Sequence, residues 1–253
     1  MKWYISLVIF LFFSSCISYP LMHDAVSQNV PLLSKKNEGR ISVATGTESV
    51  GFQAAYSFSK SFAAMGSYSW GMNDIMEYAG DVNINNGTRQ SGELAIGYFN
   101  PIGTKGVFEI YGGAERYSRS FSVTDDFGYV YNGMFSTNAT KPFVQLDLGF
   151  HNTRKHSISL SLKMGYLFYD HYSFLVLDEQ THKWGPYPQN YVNNDPIIEP
   201  CVTYRVGGKR LSFQAQAGFS YSNTMLFSVY NNTLVTDPFF YNIGLSLRLF
   251  KEE

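Results

Sequence analysis

The chain has 253 residues, of which 45% are hydrophobic, 17% aromatic and only 15% charged, and its formal net charge is −1. With 19 basic and 20 acidic residues it has no positive field for a polyanion, which argues against nucleic-acid binding. The aromatic residues can bury enough apolar surface to argue against disorder, and two cysteines cannot form the framework of a disulfide-rich protein.

The first fifteen residues have the pattern of an export signal. Lys2 is positive, and the apolar run from Trp3 to Phe13 suits a signal peptide but is too short to span a membrane. The next residues, Phe13-Ser14-Ser15-Cys16, are similar to the bacterial lipobox, whose cysteine receives a lipid. The sequence therefore predicts a signal peptide at 1–15 and lipidation of Cys16. Ordinary cleavage without a lipid is the alternative.

Residues 16–38 show no periodicity and contain two prolines, so we interpret them as a lipid-anchored tether. From residue 39 to 250, apolar and polar residues alternate with period two, as in strands that separate two environments. A short tail, 251–253, follows. The predicted strands are 39–45, 50–59, 62–72, 89–99, 106–118, 141–150, 157–167, 197–206, 211–223 and 239–250.

The predicted connections alternate in length. Short ones contain turn residues such as Gly103 and Gly207, whereas long polar ones occupy 73–88, 119–140, 168–196 and 224–238. Short periplasmic turns and long external loops are typical of outer-membrane barrels. We therefore predict an all-β, antiparallel transmembrane β-barrel, with ten strands favoured over eight or twelve and with both termini periplasmic.

The charged residues of the predicted strands fall on one face. The opposite face is apolar in runs such as Leu146, Leu148 and Phe150, and its one charge is Arg116. A charge in contact with lipid at mid-membrane costs about 2–4 kcal/mol, so the charged face should line the lumen. The predicted lumen residues are Arg40, Arg89, Glu93, Glu109, Glu115, Lys141, Asp147, Lys163, Glu199, Arg205 and Arg248.

A soluble, lipocalin-like ligand-binding barrel shows the same alternation with inside and outside exchanged, so periodicity does not distinguish the two. Aromatic residues near strand ends, such as Trp70, Tyr98 and Tyr166, favour the membrane.

Two segments carry a family resemblance. Gln28-Asn29-Val30-Pro31-Leu32-Leu33, followed by Lys35, Lys36 and Glu38, and then the stretch Gln53–Ser59, resemble the start of small outer-membrane β-barrel lipoproteins of Bacteroidota-type bacteria. The resemblance implies the fold and an outer-membrane location rather than an activity. The last strand, Tyr241–Phe250, resembles the signal read by barrel-insertion machinery. That machinery, lipoprotein-sorting machinery and membrane lipid are the expected partners.

A ten-stranded barrel has a narrow interior. Its inward charges can pair and block the lumen or line a narrow polar path, for which Glu109, Glu115, Lys163 and Arg205 are the residues to mutate. We expect a non-enzymatic protein, without cofactor or metal, that passes a small solute or binds an external ligand.

One enzymatic alternative rests on the adjacent Asp170-His171 near an external strand end. Omptin-like outer-membrane proteases use an Asp-His pair that faces two aspartates, and Asp125-Asp126 is the candidate for that second pair. Cys201 should point inward as a packed residue, because no partner base is evident.

Overall fold

The computed structural model describes residues 26–46, 49–73, 76–78, 82–125, 133–151, 155–178, 183–186, 194–208, 210–222 and 239–250. The predicted signal peptide 1–15, the lipidation residue Cys16 and the tail 251–253 lie outside these residues. No helix within them is long and apolar enough to cross a membrane.

The described strands belong to one antiparallel sheet. They are β1 (Glu38–Gly46), β2 (Ser49–Ser57), β3 (Phe62–Asn73), β4 (Met76–Tyr78), β5 (Val82–Ile102), β6 (Gly106–Asp125), β7 (Gly133–His151), β8 (His156–Asp178), β9 (Lys183–Pro186), β10 (Asp195–Gly207), β11 (Leu211–Phe219), β12 (Tyr221–Ser222) and β13 (Phe239–Phe250).

Ten of these strands close into a barrel. Neighbours along the chain pair in the order β1-β2-β3-β5-β6-β7-β8-β10-β11-β13, and β13 pairs back with β1, where Phe250 lies opposite Glu38. The short strands β4, β9 and β12 pair antiparallel with β5, β8 and β10, respectively. The ten-stranded antiparallel barrel is thereby confirmed, and each predicted strand overlaps one barrel strand.

Four strands exceed their predicted lengths by seven residues or more. β5, β6, β7 and β8 have 21, 20, 19 and 23 residues, whereas the other barrel strands have 9 to 13. Much of the predicted loops 73–88, 119–140 and 168–196 is therefore strand. The extensions carry polar residues on both faces, such as Arg119 and Ser120 of β6, so the alternation of apolar and polar residues disappears while the main-chain ladder continues. Conversely, the strand predicted at 211–223 ends at Phe219.

The barrel has two unlike ends. We name the end that carries the turns β2–β3, β5–β6 and β10–β11 the short-turn end, and the opposite end the long-loop end. About nine to eleven tilted residues cross a membrane, so β5–β8 extend well beyond one at the long-loop end. We call this one-sided extension the tall wall.

Apolar side chains cover the outside, and charged ones fill the inside. Leu94 and Ile96 are 76% and 69% exposed, whereas Glu109, Lys141 and Lys163 are fully buried. A barrel in water would have the reverse arrangement, because buried charges and exposed apolar belts are both unfavourable there. The arrangement is that of an outer-membrane β-barrel and not of the soluble lipocalin-like alternative.

Residues 26–33 lie inside the barrel, and together with the exposed Ser34 that follows we call them the arm. Val26, Gln28, Val30, Leu32 and Leu33 are all buried, although β1 begins only at Glu38. This part of the predicted tether thus packs in the lumen. The absence of periodicity has a physical reason, because an extended segment surrounded by wall on all sides has no solvent face or lipid face to alternate between.

Candidate functional site

The centre of the candidate site is a buried carboxylate that holds the arm. Glu109 accepts hydrogen bonds from the main-chain N–H of Leu32, at 2.9 Å, and of Leu33, at 2.7 Å. Leu32 has a φ of 51°, in the left-handed region that side chains other than glycine rarely adopt. Successive N–H groups in such a turn converge into an anion-binding concavity, and Glu109 occupies it.

Polar side chains of the wall also bind the carbonyl oxygens of the arm. Gln53 and Gln216 both donate to Gln28 O, at 3.0 and 2.8 Å, and Gln145 donates to Asn29 O at 2.7 Å. Two arginines continue the series nearer the short-turn end: Arg205 donates to Val30 O and Arg248 to Leu32 O. The wall therefore binds the main chain of the arm along much of its length.

The side chains of the arm contribute fewer contacts. Gln28 donates to Glu199 O at 2.6 Å, and Asn29 donates to the carbonyl oxygens of Ala54 and Gly66 at 2.9 and 3.1 Å. These bonds pair the N–H₂ groups of the two side chains, which would be costly to bury without an acceptor.

An apolar cluster lies beside Glu109. Leu33 packs in it with wall residues, and Leu32 fills the space beside Gly149, where a Cβ would overlap the leucine side chain. A glycine on β7 thus makes room for the arm. The wall members of the cluster are Ala55, Ala63, Met65, Ala95, Phe99, Tyr111 and Phe143.

A second cluster of charges lies nearer the long-loop end. Lys141 Nζ is 2.8 Å from Glu115 and 2.7 Å from Glu199, and Lys163 Nζ is 2.6 Å from Glu93. These five residues come from β5, β6, β7, β8 and β10. The pair Lys141–Glu115 joins the adjacent strands β7 and β6, whereas Lys141–Glu199 and Lys163–Glu93 reach past intervening strands across the inside of one half of the barrel. Buried pairs of this kind need each partner, because the loss of one leaves an uncompensated charge.

The remaining predicted lumen residues are also inside. Asp147 accepts from Gln145 at 3.0 Å, and Arg248 pairs with Glu38. Arg40 is buried directly opposite Arg248 in the β1–β13 ladder, and Arg89 is buried opposite Arg119 in the β5–β6 ladder. The structure thus forms one group around the arm and another around Lys141.

Several interior residues were missed by the sequence reasoning. Glu38 lies one residue before the predicted start of the first strand, with the same alternation, and Arg119 lies one residue beyond a predicted strand end. Extending the alternation would have found both. No signal identified Gln28 and Asn29 as lumen residues, because their partners are distant in sequence.

The Asp170-His171 pair is exposed. The Asp170 carboxylate pairs with Arg116 on the outer surface and accepts from Thr140 Oγ1 at 3.0 Å. This pairing explains how Arg116, the one outward charge of the predicted strands, is accommodated. The side chains of Asp125 and Asp126 lie outside the described part of the chain, so the omptin-like alternative gains no support. Cys201 is buried beside Phe240, with its sulfur 3.9 Å from Thr203 Oγ1.

No family model matches the chain, and no curated protein matches it. Among solved structures, the KdgM porin is 7% identical, with a TM-score of 0.37 over 83% of this chain and 98% of that one. A major outer membrane protein from Thermus thermophilus is 12% identical, with a TM-score of 0.40 over 84% and 98%. OmpT of Vibrio cholerae is 7% identical, with a TM-score of 0.28 over 84% and 96%.

Proposed function

We propose that this outer-membrane barrel is a non-enzymatic passage for small polar solutes that the arm keeps closed. The observation that carries the proposal is the set of bonds from wall side chains to the main chain of residues 28–33. A polar wall that binds a removable segment leaves a polar path when that segment moves, whereas a continuous apolar core would leave none.

The hydrogen bonds to the arm determine how stable the closed state is. Each neutral hydrogen bond contributes about 0.5–1.5 kcal/mol net, and each bond to the Glu109 carboxylate about 1.5–3 kcal/mol. A set of this size keeps the arm in place for most of the time, so we expect rare openings.

Single-channel recording in planar bilayers tests this proposal. The variant Gly149→Val places a side chain where Leu32 now lies and should raise the open probability at least tenfold while the arm remains in the chain. Deletion of residues 26–34 should produce long or permanent openings.

Gly112→Val is the matched control, because Gly112 faces outward and a Cβ there has no neighbour within 4 Å. It should behave like the wild type. A deletion variant that folds, as judged by its strand content in detergent, yet stays electrically silent would overturn the proposal of a passage.

A second candidate, external ligand binding, is favoured by the tall wall. β6 and β7 stay paired from Gly106–Phe150 to Val123–Gly133, which gives a rigid surface beyond the membrane. Shortening the β6–β7 hairpin above Tyr117 and Ala139 should remove binding of cells or glycans if this surface is used. Loss of binding with unchanged conductance in that variant would show that the tall wall binds the ligand independently of the passage.

A further inference from the structure

The arm has a direction inside the barrel. Ser34 bonds Glu38 at the short-turn end, and Leu33 bonds Glu109, which lies three residues from the start of β6 at the same end. Towards the N-terminus, the carbonyl oxygen of Gln28 accepts from Gln53, at the middle of β2, and from Gln216, three residues from the long-loop end of β11. The chain thus rises towards the long-loop end when it is followed backwards from β1.

The N-terminal end of the arm lies near the lower part of the rim. Ser27 bonds Gln216 and Gln53, on β11 and β2, and these strands are short. The β1–β2 ladder ends at Gly46 and Ser49, only a few residues beyond this level. Val26 is therefore close to the mouth at the long-loop end.

A return path through the barrel would need space that is already occupied. At the level of Leu32 and Leu33 the arm and the wall side chains around it are buried on all sides. A ten-stranded barrel is only slightly wider than an eight-stranded one, whose interior side chains can fill. Beside the wall side chains its lumen therefore has room for one extended segment and not for two.

We infer that the chain is threaded through its own barrel, with the residues before Val26 on the long-loop side of the membrane and the C-terminus on the short-turn side. The sequence alone led to the expectation of both termini on one side, because an even strand count returns the chain to its starting side. That expectation counts only the barrel strands and leaves out the arm, which crosses inside the lumen before β1.

Site-specific proteolysis in sealed cells tests the threaded path. A protease site is inserted in three separate variants: between Asp24 and Ala25, between Asn231 and Asn232 in a long loop, and after Glu253. Added protease should cut the first two variants to a similar extent in intact cells and the third only after permeabilisation.

Each variant must be cut in detergent, which shows that its site is competent. The inference is overturned if the site before Ala25 is cut only after permeabilisation while the loop site is cut in intact cells. The comparison with the loop site makes the test independent of which barrel end faces outward, and it requires no conductance, so it stands apart from the proposed passage.

A Cys16→Ser version of the first variant separates the path from the lipid. Because hydrogen bonds inside the barrel hold the arm, we expect the same cleavage in intact cells without the lipid. Loss of cleavage together with loss of acyl labelling would show that the lipid, and not the lumen, determines the side, and would overturn threading.

Discussion

Two buried residues, one in each of the two interior groups, bind their partners in different ways. Glu109 binds main-chain N–H groups of another segment, so its role depends on contacts far along the chain. Lys141 binds one carboxylate on the adjacent β6 and one on β10, so its role follows from the closed barrel itself. The sequence predicted that both point inward, from alternation alone. It could not predict the partner of Glu109, because a hydrogen bond between residues 76 positions apart leaves no local pattern.

Glu109→Gln should loosen the arm. One amide oxygen remains to accept, but the N–H₂ group then faces a main-chain N–H, so at least one bond is lost at a cost of about 1–3 kcal/mol. We expect roughly tenfold to hundredfold more frequent channel openings in bilayers. Asp170→Asn, on the outer surface, is the control and should leave the opening frequency unchanged. Equal frequencies in both variants would show that Glu109 does not hold the arm.

Lys141→Met should destabilise the whole barrel. The change leaves Glu115 and Glu199 buried without their shared cation, and the removal of one member of a buried ion pair costs about 3–5 kcal/mol. Arg116→Ala breaks an exposed pair and should cost at most about 1 kcal/mol. Unfolding by denaturant in detergent micelles measures both, and similar losses in the two variants would contradict the assigned burial.

At the scale of the strands, the zone of the barrel that contacts lipid, which we call the lipid belt, explains why alternation predicts the limits of some strands well and of others poorly. Where both lumen and lipid flank a strand, as in β13, the predicted and observed limits coincide at 239 and 250. Where a strand passes beyond the membrane, as in β8, the outer face no longer requires apolar residues and the pattern ends before the strand does. The thickness of the hydrocarbon layer, and not the length of the strand, therefore determines how many residues of a strand show the alternation that predicts it.

A pair of leucines tests the position of this belt. Leu160 and Leu211 are each 54% exposed, but Leu160 lies within β8 and Leu211 begins β11 beside a turn. Leu160→Arg should cost about 2–4 kcal/mol of folding free energy and Leu211→Arg close to 0–1 kcal/mol. Folding from urea into lipid vesicles measures the difference. Equal costs would contradict the assigned depth.

At the scale of the whole molecule, the arm and the barrel are two cooperative units. The barrel is joined by continuous main-chain ladders, whereas side chains hold the arm. The sequence predicted the closed barrel from strand count and charge placement. It did not predict that residues 26–34 fill the lumen, because nothing local in them indicates what surrounds them.

Hydrogen exchange should separate these two units. Amides of Leu32 and Leu33 should exchange faster than those of β6 and β7, because the arm opens without unfolding the barrel, yet far slower than amides of an exposed segment. Mass spectrometry of the protein in micelles resolves these segments. Exchange of the arm at the rate of a free peptide would contradict its place in the lumen.

The joint between β13 and β1 has a consequence for biogenesis. Arg248 on the last strand contacts Glu38, 210 positions earlier, and also Leu32 O. A finished cylinder offers no lateral entrance, so the arm takes its place either before the last two edges pair or later, lengthwise through an open end. The timing of that last pairing therefore decides which of the two routes the newly made protein uses to fill its centre.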